Sequence, residues 1–151
     1  YPKYYAQWQK EGITVGISEQ KLGINPMLAG LKHLNRLEQV MLRAELDKRP
    51  EDDLLACDIN NNIIECCSAN VFWLKAGQWQ TPTLSTAGVA GLMRDKILLI
   101  MPANYDIETL NNIEAMFISN AILGIVPVKV FNDRQLDTSL VRNIQTQCMN
   151  Y

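Results

Sequence analysis

The chain has 151 residues, 48% of them apolar and 20% charged, and its 14 Lys+Arg against 16 Asp+Glu leave a formal net charge of -2. That is the arithmetic of one globular domain with a sizeable apolar core. A near-balanced charge without a basic run offers no electrostatic footprint for nucleic acid or an anionic membrane, and no stretch reaches the ~18 consecutive apolar residues of a membrane span. Residues 1–10 are aromatic and polar, unlike the apolar core of a signal peptide. The expectation is a soluble, cytoplasmic domain.

Residues 13–18 form a β-rich run, followed by the breakers Gly23, Asn25 and Pro26. Leu34, Leu37, Met41 and Ala44 then recur at helical spacing up to Pro50, which predicts a helix starting near Lys32. The period changes next. Residues 53–58, 63–67, 71–75 and 79–81 read as short strands, separated in part by the Asn60-Asn61-Asn62 and Ala76-Gly77 turns. Ser85 and Thr86 offer N-caps to a second helix over residues 88–101, with Leu92, Ile97 and Leu98 on one face. Residues 115–119 and 126–131 predict a further strand pair, and Thr138 or Ser139 can cap a last helix to about Cys148. A mixed sheet with about three helices is an α/β or α+β domain, and the pattern leaves open whether the sheet is closed. There is no internal repeat and no interdomain linker.

The chemistry is bounded by what is scarce. Cys57, Cys66, Cys67 and Cys148 show no CxxC spacing, and His33 is the single histidine, so most zinc and catalytic-triad arrangements lack their parts. A general base has to be Lys, Glu, Asp or Tyr. Arg36 lies at the i+4 position from Lys32, so the two cations share a helix face. Like-charge proximity with partial burial lowers a lysine pKa and frees its amine as nucleophile or base; a solvated helix start explains the same spacing. Glu65 sits in the apolar run Ile63-Ile64-Glu65-Cys66-Cys67, where strand alternation puts it on one face with Ile63 and Cys67, buried. Its partner is then an Arg, a backbone donor, or a protonated ring nitrogen of a cofactor. Residues 81–91, Thr-Pro-Thr-Leu-Ser-Thr-Ala-Gly-Val-Ala-Gly, run from a strand end to a helix start, suiting either an anion such as phosphate or a plain capped helix. Trp8, Trp73, Trp79 and the cysteines read as core.

Three segments carry a resemblance: residues 29–39, Ala-Gly-Leu-Lys-His-Leu-Asn-Arg-Leu-Glu-Gln; residues 65–73, Glu-Cys-Cys-Ser-Ala-Asn-Val-Phe-Trp; and Thr81-Pro82 with residues 87–94, Ala-Gly-Val-Ala-Gly-Leu-Met-Arg. In order and spacing they resemble the aminodeoxychorismate lyase family of fold-type IV pyridoxal-phosphate enzymes, which are related to the branched-chain and D-amino-acid aminotransferases. Glu-Cys-Cys is nearer the lyases than the Glu-Gly common in the aminotransferases.

The resemblance implies an α/β pseudo-barrel that binds pyridoxal 5'-phosphate. It implies that Lys32 joins the cofactor covalently and acts as catalytic base, and that Glu65 keeps the pyridine nitrogen protonated. Val89 and Ala90 would give backbone N–H groups to the phosphate, and Asn120 would lie near the phosphate and substrate. Arg36, by spacing, would tune Lys32 or touch substrate. The implied reaction converts 4-amino-4-deoxychorismate, a small-molecule substrate, to 4-aminobenzoate and pyruvate, for folate synthesis, in a homodimer. A fold-type IV aminotransferase acting on D- or branched-chain amino acids shares Lys32 and Glu65, and an inactive isolated domain is a third expectation. Position 1 is Tyr rather than Met, and the family's smaller N-terminal domain has no counterpart here. Residues 1–151 are therefore expected to be the C-terminal cofactor-binding domain, cut from something longer and inactive alone.

Overall fold

The computed structural model describes residues 4–22, 36–67, 69–82, 100–120 and 124–149. Helix α1 (Tyr4–Glu11), which the sequence reading did not anticipate, leads through Gly12 into strand β1 (Ile13–Leu22). Gly12 takes a φ of 86°, and a Cβ there would meet the Pro127 carbonyl oxygen at 3.0 Å, so the turn requires glycine. Helix α2 (Arg36–Asp47) is followed by β2 (Asp53–Asp58), β3 (Ile63–Cys66), β4 (Asn70–Lys75) and β5 (Gln78–Pro82). Then come β6 (Ile100–Ala103), a 3-10 helix (Ile107–Asn112), β7 (Ala115–Asn120), β8 (Gly124–Phe131), β9 (Arg134–Gln135) and helix α3 (Ser139–Met149). The hairpin turns are built as their chemistry asks: Ala76 and Gly77 both have positive φ, as do Asn132 and Asp133.

Among the described residues the strands form one mixed sheet in the order β3-β2-β1-β8-β7-β4-β5-β6, with β9 pairing on β8. The β1–β2, β1–β8 and β5–β6 pairs are parallel and the others antiparallel. The sheet curls until its two edges meet. The chain leaving β6 pairs back on the start of β3, where Ile63 N–H donates to the Tyr105 carbonyl at 2.8 Å and Ile107 N–H to the Asn61 carbonyl at 2.9 Å. A single bridge rather than a full ladder closes the ring, so the result is the pseudo-barrel that the resemblance implies.

Alternation sorts the side chains into an inside and an outside. Val71 and Trp73 of β4, Met116 and Ile118 of β7, and Val126 and Val128 of β8 join Ile13, Val15 and Leu55 in the inner core. Phe72, Leu74, Ala115, Phe117 and Ile125 point outward, where Val141 and Ile144 of α3 cover them. Phe72 stacks on Phe117 with ring centroids 4.7 Å apart, and Trp79 meets Phe117 edge-on at 5.2 Å. A second outer cluster sets Leu42 of α2 against Leu22, Ala56, Ile64 and Cys67.

One expectation is corrected here. The helix predicted over residues 88–101 cannot run to its end, because Ile100 and Met101 belong to β6, paired with Trp79 and Gln80. Strand pairing has overridden a helical apolar spacing there; residues 88–99 lie outside the described residues.

Helix α2 is held to β1 by a polar clamp. Ser18 Oγ donates to the Glu45 carboxylate at 2.6 Å and the Glu19 N–H donates to it at 3.0 Å, while Arg49 donates to the Ile17 carbonyl at 2.7 Å, to Glu45 at 2.8 Å and to Glu51 at 2.8 Å. Gly16 makes room for it: a Cβ would collide with the Glu51 carboxylate. Burial raises the Glu45 carboxyl pKa, but the bonds from Ser18, the Glu19 amide and Arg49 outweigh it, so the net value lies below 4.5. The bond from Arg49 lowers Glu51 likewise. Carboxyls depressed in the folded state stabilise it above their unfolded value of 4.5 and lose that contribution as pH falls through the folded values. Thermal unfolding followed by circular dichroism should therefore show Tm dropping below about pH 4.5, with a shallower drop in the double variant Glu45→Gln/Glu51→Gln. Equal pH slopes in the two proteins would remove the clamp from acid lability.

Candidate functional site

Helix α2 runs antiparallel to β1. Gln20 Nε2 donates to the Met41 carbonyl at 3.4 Å, Glu45 faces Ser18, and Arg49 reaches Ile17. The N-terminus of α2 therefore points toward the Leu22 end of β1, where the 23–35 connection leaves. Lys32 and His33 fall in that connection, outside the described residues, and Arg36 is the first residue of α2. Val89 and Ala90 lie outside the described residues as well.

Glu65 is described, and its placement differs from simple alternation. In the β2–β3 ladder Leu55 pairs with Cys66 and Ala56 with Glu65, but Cys57 pairs with Ile63. Ile64 is thus an extra residue, a β-bulge, and it breaks the period of two. Ile63 and Cys66 consequently both belong to the inner core. Glu65, opposite Ala56, shares the outer face with Ala56 and Cys67, over which Leu42 of α2 packs. The expected face with Cys67 holds, whereas the expected face with Ile63 does not, and Glu65 is half-buried rather than buried. It is an engaged carboxylate, not a free one.

Asn120 is the last residue of β7, half-buried, paired with Gly124 across the hairpin. Asn70, at the start of β4, pairs with Ser119, and Trp73 with Gln80 on the other side of β4, so the end of β5 at Thr81-Pro82 lies at the same end of the sheet. Thr81, fully buried, donates its hydroxyl to the Val71 carbonyl at 2.8 Å and fixes that end. β3 exits there too, since Cys66 N–H bonds the Ala69 carbonyl across the turn into β4. The exits of β3, β5 and β7, carrying Glu65, the 81–91 run and Asn120, therefore gather at one end of the barrel. With strands ~4.8 Å apart, β5 and β7 stand about 10 Å from each other across β4.

Two carboxylates that sequence reasoning missed bracket β2, the partner of β3. Asp53, fully buried at the start of β2, accepts from the Leu54 amide at 2.7 Å and the Cys67 amide at 3.0 Å. Asp58, buried at its end, accepts from the Asn60 and Asn62 amides at 2.8 and 3.0 Å. The signal was legible in Asp-Leu-Leu-Ala-Cys-Asp: acids flanking a wholly buried strand need partners. Of the tryptophans expected in the core, Trp73 is buried inside, bonded to Gln80 and edge-on to Tyr105 at 5.4 Å, Trp79 is buried outside, and Trp8 is partly buried against the inner core.

The amino-transferase class IV pattern matches residues 1–131. The chain belongs to the class IV aminotransferase family. An aminodeoxychorismate lyase of Vibrio harveyi is 38% identical over 136 residues, 85% of this chain and 50% of that protein. The crystal structure of 4-amino-4-deoxychorismate lyase from Pseudomonas aeruginosa is similar with a TM-score of 0.79 at 30% identity, over 99% of this chain and 58% of that one. An aminotransferase from Brucella abortus bound to pyridoxal phosphate has a TM-score of 0.74 over 92% of this chain and 53% of that one, and at 18% identity that likeness is one of fold. The chain thus spans about half the length of the relatives it matches. No helix among the described residues is long and apolar enough to cross a membrane.

Burial sets the thiols apart. It pushes the Cys57 thiol up to about 11 and Cys66 well above its ordinary value, and it raises Cys67 as well, although Cys67 alone of the three is half-exposed. Because the exposed thiolate is the reactive species, brief alkylation of the folded protein with iodoacetamide should mark Cys67 before Cys57 and Cys66. Mass mapping that finds Cys66 marked first would contradict the bulged register.

Proposed function

We propose that this chain is the cofactor-binding domain of a pyridoxal-phosphate-dependent lyase that converts 4-amino-4-deoxychorismate to 4-aminobenzoate and pyruvate, serving folate synthesis in the cytoplasm as a homodimer. The observation that carries the reading is the 38% identity with the Vibrio harveyi lyase across 85% of the chain.

The donor set suits the cofactor. Its ring nitrogen calls for a carboxylate, and Glu65 stands half-buried on the α2 face, where reduced solvation strengthens a charge-assisted bond. Its aldehyde calls for a lysine, and Lys32 lies four positions ahead of α2. Its phosphate calls for N–H donors, and the run containing Val89 and Ala90 leaves β5 at the sheet end that holds Asn120.

When bound, pyridoxal phosphate supplies an electron-accepting ring conjugated to the substrate nitrogen. Glu65 keeps a proton on the ring nitrogen and so maintains that accepting capacity. Lys32 would hold the cofactor at its aldehyde carbon, and its free amine would take the proton from the substrate ring carbon that bears the amino group. The carbon–oxygen bond to the enolpyruvyl group breaks with its electron pair leaving on oxygen, and the ring becomes aromatic. Lys32 then passes its proton to the departing enolate, which becomes pyruvate, so no external acid is consumed. Arg36, four positions after Lys32 in the sequence, would favour the neutral amine that both roles need.

The test uses the full-length enzyme with pyridoxal phosphate and 4-amino-4-deoxychorismate. Pyruvate should appear, borohydride should fix the cofactor to the peptide containing Lys32, and Lys32→Ala should abolish both. Glu65→Gln should fold normally yet lower kcat by about two orders of magnitude. Amino transfer from branched-chain or D-amino acids without pyruvate release would move the protein to the aminotransferase reading. A cofactor adduct on another lysine would overturn the assignment of Lys32.

A further inference from the structure

We propose that Asp53 is the positioning residue for Glu65: its buried carboxylate latches the Cys67 amide and holds β3 in the bulged register that turns Glu65 toward α2. The inference rests on the proposed function for the role of Glu65, but its structural half does not.

Asp53 is an acid with no exposed surface at the first position of β2. It is not the sole acceptor of the Cys67 amide. Cys67 N–H already has an acceptor in the Leu54 carbonyl at 3.0 Å, and the Asp53 Oδ1 is a second one at 3.0 Å. The same oxygen takes the Leu54 amide at 2.7 Å, so one carboxylate fixes both strands where β3 ends. At the other end of β2, Asp58 fixes the Asn60 and Asn62 amides where β3 begins.

Between these two pins β3 carries one residue more than β2, because the three residues 55–57 face the four residues 63–66. A bulge survives only while both of its flanks are held, since expelling it slides one flank by a single position. In this strand that slide carries Glu65 from the α2 face to the inner core and exchanges the environments of Cys66 and Cys67. The pin nearer Glu65 is Asp53, acting two residues downstream through the backbone.

The experiment compares Asp53→Ala and Asp53→Asn in the full-length enzyme, with and without pyridoxal phosphate. The first readout is the alkylation order of the thiols, which needs no cofactor. Wild type should mark Cys67 ahead of Cys66, and Asp53→Ala should bring the two to similar rates. A folded Asp53→Ala with the wild-type order overturns the latch. The second readout is the pH midpoint of the visible absorption of bound cofactor. Asp53→Ala should shift it in the same direction as Glu65→Gln does, and adding Asp53→Ala to Glu65→Gln should shift it no further. A lowered Tm with an unmoved midpoint would make Asp53 merely structural and overturn its role toward Glu65. If Asp53→Ala does not fold, Asp53→Asn decides, because its neutral oxygen accepts more weakly and should give an intermediate thiol ratio and midpoint; an Asn variant matching wild type in both overturns the proposal. Wild type that binds no cofactor sinks the functional reading, and the thiol order still decides whether Asp53 sets the register.

Discussion

Everything in the molecule depends on the parallel pairing of β1 with β8. Without it the strands fall into two curved half-sheets, β3-β2-β1 and β8-β7-β4-β5-β6, each with one unpaired edge and half of an inner face. The pairing joins Ile13 to Val128, Thr14 to Val130 and Val15 to Phe131, and Asn132 N–H extends it by bonding the Val15 carbonyl at 2.9 Å. Its partners come from opposite ends of the chain, so loop-closure entropy opposes it until the inner core forms. That core repays the cost because it is shared: Ile13, Val15 and Leu55 come from one half, and Trp73, Met116, Ile118, Val126 and Val128 from the other. Gly12 stands at this seam, where a side chain would strike the Pro127 carbonyl of β8.

Once the barrel is closed, each strand has to satisfy two faces, and this explains which parts of the sequence were readable. β4 and β7 are buried on both sides, against the inner core and against α3, so they appear as continuous apolar runs and were located almost to the residue. The Ala76-Gly77 turn was equally legible because positive φ selects its residues. Helix α2 announced itself through Leu37, Met41 and Ala44, yet the leucines it buries are Leu42 and Leu46, with Leu37 and Met41 exposed. The apolar spacing found the helix and mistook its buried face. Helix α1 was missed because its Tyr, Trp, Gln and Lys carry a mixed pattern, and it is held instead by tertiary contacts such as Gln145 Nε2 donating to the Gln9 carbonyl at 2.8 Å. Ile100 and Met101 were misread because a parallel partner far away in sequence leaves no local mark.

The candidate site divides in the same way. Residue types and their order pointed to Lys32, Glu65 and the 81–91 run, because chemistry constrains types more tightly than the fold does. The orientation of Glu65 was beyond alternation, since a bulge is set by what the neighbouring strand does at its ends, here Asp53 and Asp58. Both acids were visible as letters, but their function as acceptors for amides of the turn regions appears only once β2 and β3 are paired.

The parallel pairing of β5 with β6 requires a long connection, residues 83–99, at the point where we propose the phosphate site. An antiparallel neighbour could follow β5 through a two-residue turn, as β5 itself follows β4, whereas a parallel neighbour obliges the chain to travel the length of the sheet before re-entering it. The connection 83–99 meets that requirement, and it begins at the sheet end where β3 and β7 also finish. The neighbouring exits then supply groups of different chemistry, an acid two residues back from the end of the Cys67 turn and an amide at the end of β7. The barrel's topology brings these groups to one end, and the bulge decides which of its faces the acid serves.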